Sequence, residues 1–146
     1  MKKVIDRFAD EYYWLSNFQY SPFFYGSTTF PTVEHFFQAM KGTSDNTMEM
    51  IRTAESPSEA KRLGRIVELR PDWEEIKDKV MYVGVKQKFL QNAELQKKLL
   101  DTGDAQLIED NNWHDYYWGV CNGKGQNKLG QILMRVREEI RNGNYN

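Results

Sequence analysis

The pattern of apolar and polar positions changes period along the chain, and each change marks an element. Up to residue 30, aromatics are interleaved with turn formers, as in Tyr20-Ser21-Pro22-Phe23-Phe24-Tyr25-Gly26-Ser27, which predicts short extended segments folded around a hairpin. From Thr32 the period becomes helical. Val33, Phe36, Phe37 and Met40 fall on one side at ~100° per residue, with Thr32 placed to cap the helix and Gly42 near its end. A second helix is expected over Asn46 to Thr53. Ser56-Pro57-Ser58-Glu59 then combines an N-cap serine, a first-turn proline and a glutamate placed for a capping box, so a third helix runs to about Leu63 and Gly64 ends it.

Pro71 opens the longest helical pattern, in which Trp73, Ile76, Val80 and Val83 recur at helical spacing and Phe89 and Leu90 continue the apolar side. Gly84 is expected to weaken it locally. A short helix from Glu94 to Leu100 should stop at Thr102-Gly103. Gln106 to Glu109 is short enough for a strand, and the β-prone stretch Tyr116 to Cys121 is its expected partner. Leu129 to Arg141 closes the pattern with Ile132, Leu133, Val136 and Ile140 on one stripe, and Asn142 to Asn146 read as a frayed tail. The expectation is a helix-rich α+β fold with short N-terminal and C-terminal strands, forming one domain over residues 1–146.

Composition supports one core and removes several functions. The 146 residues are 40% hydrophobic and 14% aromatic, enough for a packed interior, and the formal charge of −1 gives no global attraction to duplex nucleic acid. Cys121 is the only cysteine, so no intramolecular disulfide is available, and no apolar run is long enough to span a bilayer. With no signal-peptide pattern either, a cytoplasmic location without membrane contact is the expectation. The two histidines, His35 and His114, and the lone Cys121 show none of the paired spacings of a zinc site, so no metal and no cofactor are expected. His35 falls opposite the apolar stripe of its helix and reads as a solvated surface histidine. The glycines from Gly119 to Gly125 fit no phosphate-loop or dinucleotide pattern and read as turn residues.

Glu34, Gln38 and Lys41 give the densest candidate chemistry, because a spacing of four then three residues puts a carboxylate, an amide and an amine along one edge of a helix. An acid and an amine at the rim of an apolar core suit acid/base or covalent work on a carbonyl-like carbon, and an ordinary solvated face with a weak ion pair is the competing explanation. Around this helix lie Leu15-Ser16-Asn17-Phe18, Gly64-Arg65, Trp73 followed by Val80-Met81, Lys88-Phe89, Thr102-Gly103, Asp115-Tyr116-Tyr117-Trp118-Gly119, and Gly125 to Met134 with Asn127, Leu129 and Gly130. In this order and spacing, from about Phe8 to Arg141, the motifs resemble the NADAR, or YbiA-like, family. The resemblance implies an N-glycosidase acting on a ribosyl compound, either a phosphorylated ribosylamino-pyrimidine of riboflavin synthesis or ADP-ribose attached to guanine in DNA or RNA. Val120-Cys121-Asn122 departs from it, since many relatives carry a glycine-rich segment there.

Breaking a ribosyl N-glycosidic bond requires a stabiliser for charge at the anomeric carbon and a proton for the leaving nitrogen, services that carboxylates supply. Glu34 is the first candidate and Asp115 the second, with a turn-holding aspartate as the alternative for Asp115. Lys41 can act as an amine on the aldehyde-like carbon of an opened ribose, or simply balance Glu34 or a substrate phosphate. Trp73 and Trp118 are candidate base platforms or core residues; Lys61 and Arg65 share a helical face that meets a phosphate or only water. Asn17 and Asn127 are candidates for ribose hydroxyls or for turns; the resemblance implies a pocket of Asn17, Glu34, Lys41, Trp73, Asp115 and Trp118, and Phe18, Gln38 and Gly119 are further expected substrate contacts. A non-catalytic ADP-ribose or nucleotide-binding module, and an interaction domain whose aromatics are all core, are the alternative functions.

Overall fold

The computed structural model describes residues 3–144 and divides the chain into two compact units, one contiguous (17–91) and one assembled from 3–16 and 92–144. The contiguous unit begins with the hairpin of β2 (Phe23–Tyr25) and β3 (Thr28–Phe30), preceded in the chain by β1 (Val4–Ile5) of the other unit. Phe23 faces Phe30 across the hairpin, and both rings are buried against Phe36 at 5.6 and 5.2 Å between centroids. Those contacts seat the next element, α1 (Val33–Ala39), against the hairpin. Three longer helices surround α1: α2 (Asp45–Arg52), α3 (Pro57–Gly64) and α4 (Trp73–Gln91).

Local chemistry accounts for where these helices begin. The hydroxyls of Thr32, Ser44 and Ser56 each accept a backbone N–H three residues on, giving α1, α2 and α3 the N-caps that their first turns need. Helix α4 starts two residues after Pro71, behind a turn in which the Trp73 N–H donates to Arg70 O at 3.1 Å. Its fully buried side is formed by Trp73, Met81, Val85, Lys88 and Phe89, while Ile76, Val80 and Val83 are half-buried. Gly84 does not interrupt it: α4 runs unbroken past residue 84, where the absent side chain admits the Phe36 ring and Val33 of α1.

In the other unit, a 3-10 helix spans Asp10–Leu15, which the sequence pattern did not predict. Helix α5 (Ala93–Asp101) and helix α6 (Lys128–Arg141) pack together, and between them β4 (Gln106–Leu107) pairs in parallel with β1, Val4 opposite Gln106 and Ile5 opposite Leu107. The expected partnership of this strand with residues 116–121 does not form as a ladder. Only single bridges occur there, Asp110 with Val120 and Cys121 with Lys124, because the carbonyls of residues 116–119 accept from the backbone N–H groups of residues 126–129 and nearby side chains hold other backbone groups of the stretch. The Asp115 carboxylate accepts from the N–H groups of Tyr117 and Trp118, and the Asn111 amide donates to the carbonyls of Asp115 and Val120. Of the expected frayed tail, Asn142 closes α6 and the Asn144 N–H donates to Glu139 O at 2.8 Å; Tyr145 and Asn146 lie outside the described residues.

Candidate active site

Helix α1 has no solvated face. All seven of its residues are buried, including Glu34 (7% exposed), His35 (2%) and Gln38 (4%), because α2, α3 and α4 cover the sides that the apolar stripe leaves uncovered. The expected surface histidine is therefore a core residue. Its neutral imidazole donates from Nε2 to Ala54 O at 3.0 Å, which leaves Nδ1 to accept from the Thr32 hydroxyl at 2.8 Å. Burial lowers the His35 pKa below the ordinary histidine value, the Ala54 contact opposing it.

A buried carboxylate and amide need partners, and these two find each other one helical turn apart. Gln38 Nε2 donates to Glu34 Oε2 at 2.6 Å, a short charge-assisted bond that orients the carboxylate. The Glu34 N–H donates to Asn17 O at 3.1 Å, and the Asn17 amide reaches the Met81 sulfur at 3.3 Å, so Asn17 ties the start of α1 to α4. The other end of the Gln38 amide is unusual. Oε1 is buried without a hydrogen-bond partner among the described residues, a condition that costs about 1–3 kcal/mol when a polar group is left dry.

Lys41 lies just past the end of α1 and is half-buried. Its backbone carbonyl accepts from the Arg70 N–H at 2.9 Å, and its Nζ stands 5.7 Å from the Phe37 ring centre and 6.0 Å from that of Trp73. Trp73 itself is 5% exposed and packs on Phe37 at 5.0 Å, so its ring faces are largely used in the core and in carrying this amine. Burial depresses the Lys41 pKa first; Glu34 raises it, Arg65 and Lys61 lower it, and Glu74 raises it. Those interactions define one electrostatic cluster comprising Glu34, Lys41, Lys61, Arg65 and Glu74. Glu74 was not singled out from the sequence, though its place beside Trp73 at the start of α4 was the available signal.

The remaining expected residues are placed differently. Phe18 is half-buried at the start of the contiguous unit. Asp115, Trp118, Gly119 and Asn127 belong to the other unit. There the Asp115 carboxylate holds the turn at 115–118, Trp118 sits edge-on to Tyr117 at 4.8 Å, and Gly119 O accepts from the Asn127 N–H at 3.1 Å. Asn127, in left-handed conformation ahead of α6, uses both ends of its amide on backbone: Nδ2 donates to Leu107 O and Oδ1 accepts from the Glu109 N–H, each at 2.9 Å. Among the described residues, no group of three or more His, Cys, Asp or Glu is placed to share a metal ion, and no helix is long and apolar enough to cross a membrane.

A carboxylate oriented by an amide, next to an amine of lowered basicity and flanked by two further cations, defines a polar site suited to acid/base and amine chemistry on an anionic substrate. The NADAR domain model matches residues 5–141, across both units, and the chain belongs to that family. It is 43% identical over 135 residues to the N-glycosidase YbiA of Shigella flexneri, covering 90% of this chain and 84% of that one. A riboflavin biosynthesis protein of Vibrio vulnificus is 40% identical over 129 residues, which are 86% of this chain and 35% of the relative. The NMR structure of E. coli YbiA superimposes with a TM-score of 0.88 at 40% identity, covering 98% of this chain and 88% of that one.

Proposed function

We propose that Glu34 and Lys41 carry the chemistry of this chain, an N-glycosidase, on a phosphorylated ribosylamino-pyrimidine. The observation that carries the assignment is the pairing of a buried, amide-oriented carboxylate with an amine of lowered pKa at the two ends of one short helix. Lys61 and Arg65 in the same cluster suit the substrate phosphate, and the name of the Vibrio relative supports a riboflavin intermediate over ADP-ribosylated guanine.

The chemistry follows from the groups present. When the ribose ring opens, the anomeric carbon is held as an imine to the base nitrogen. The neutral Lys41 amine adds to that carbon, a proton passes to the base nitrogen, and the base leaves as a free amine while Lys41 remains joined through a protonated imine. Water then adds, the carbon–lysine bond breaks, and the sugar departs as an aldehyde that closes again. Glu34 is the proton carrier and the counter-charge for the cationic carbon throughout. Asp115 and Asn127 are bonded to backbone in ways that their local turns explain, and the mechanism does not call on them. A reducing cytoplasmic setting, in keeping with the lone buried Cys121, belongs to the same reading.

Incubation with the phosphorylated ribosylamino-pyrimidine should release the aminopyrimidine, and Glu34→Gln should lower turnover by about 100-fold or more without loss of fold. Normal turnover in Glu34→Gln removes that residue from the mechanism. Release of base from ADP-ribosylated guanine DNA, with none from the pyrimidine, replaces the substrate assignment.

A further inference from the structure

Gly64 closes α3 with ordinary helical geometry, since its φ is not among the positive values of the chain. Conformational freedom therefore does not explain a glycine there, and helices disfavour it. The reason lies in what faces its Cα. A side-chain carbon built on Gly64 would overlap Gln38 Oε1 and lie 2.8 Å from Gln38 Cδ and 3.3 Å from its Cβ, so the buried amide rests directly on the glycine. Gln38 cannot turn its amide over to relieve the unpartnered Oε1, because the oxygen would then face the Glu34 carboxylate at the position where Nε2 now donates at 2.6 Å. The amide is thus fixed by a hydrogen bond on one side and by the shape of Gly64 on the other.

We propose that Gly64 is a positioning residue for the N-glycosidase reaction: by leaving room for the Gln38 amide it fixes the direction of the Glu34 carboxylate. This assigns the buried amide of Gln38 to Glu34 in place of the substrate, and it rests on the reading of Glu34 as a catalytic residue. The far end of a glutamine is flexible, so an alanine at position 64 displaces the amide more readily than it disrupts α3, and the displaced amide no longer meets Glu34 in line.

The test is a cycle of Gly64→Ala, Gln38→Ala and the double variant, with kcat, KM and thermal midpoint measured on the phosphorylated ribosylamino-pyrimidine, and Glu34→Gln as reference. Gly64→Ala should lower kcat by about 10- to 100-fold, the scale of a misdirected catalytic group, with KM unchanged. In the Gln38→Ala background, adding Gly64→Ala should change kcat no further, since the overlap with the amide has gone and only the 3.3 Å approach to the Cβ of residue 38 remains. Wild-type kcat in Gly64→Ala, or an equal additional loss in the Gln38→Ala background, overturns the proposal. Should Gly64→Ala not fold, the remaining pair decides: a folded double variant with the lowered kcat of Gln38→Ala supports it, and an unfolded double variant or a fully active Gln38→Ala overturns it. Full activity in Glu34→Gln instead overturns the reading of Glu34 beneath it, so the two failures are told apart.

Discussion

Lys41 shows how a residue readable from spacing gains its chemistry only from its surroundings. Its alignment with Glu34 was legible, but the lowered basicity comes from burial and two cations, whose distance in sequence conceals their nearness. Lys88 is another lysine with depressed basicity, pushed down to about 7 by complete burial in α4. An imine intermediate separates the two lysines, because borohydride reduces it to a stable secondary amine. Treatment with ribose 5-phosphate and borohydride should add one sugar, and peptide mapping should place it on Lys41, since Lys88 is 1% exposed and sealed from a sugar. Adducts scattered over surface lysines, or full activity in Lys41→Arg, would leave attack by water as the mechanism. His35 makes the opposite point. Helical phase placed it away from the apolar stripe, and only the packing of α2 to α4 puts it inside. Because its folded pKa lies below the unfolded value of 6.5, its stabilising contribution is complete above that pH and is lost as pH falls through the folded pKa. The urea midpoint should therefore drop between about pH 7 and about pH 5, and more steeply than in His35→Gln; equal slopes would show that another group titrates.

At the scale of elements, caps were legible because they are written in adjacent residues. Thr32 and Ser56 bond as their positions imply, and α1 and α3 begin where those hydroxyls stand. What a single helix cannot reveal is which neighbour its small residues admit. Gly84 looked like a weak point in α4, yet a side-chain carbon there would lie 2.8 Å from Phe36 Cδ2 and 3.4 Å from Val33 Cγ1. Gly84→Ala gains about 1 kcal/mol of helix propensity and loses about 1–3 kcal/mol to overpacking, so a lower urea midpoint is expected. A raised midpoint would show that Phe36 yields freely. The stretch from Tyr116 to Cys121 failed as a strand for a related reason. Its residues favour β structure, but the Asp115 carboxylate takes the N–H groups of Tyr117 and Trp118, and the carbonyls of residues 116–119 accept from the backbone of residues 126–129 instead.

For the molecule as a whole, composition and periodicity reached the helix-rich class, and the motif order reached the family that the domain match and the YbiA superposition show. The pairing of β1 with β4 was out of reach, since two residues in each strand carry no pattern that specifies a partner so far along the chain. That pairing has a consequence during synthesis. The first strand emerges from the ribosome long before Gln106 exists, whereas residues 17–91 form one uninterrupted stretch that is complete once Gln91 has emerged. The part bearing Glu34 and Lys41 is therefore available to fold while translation continues, and β1 must wait unpaired until Gln106 and Leu107 have been made.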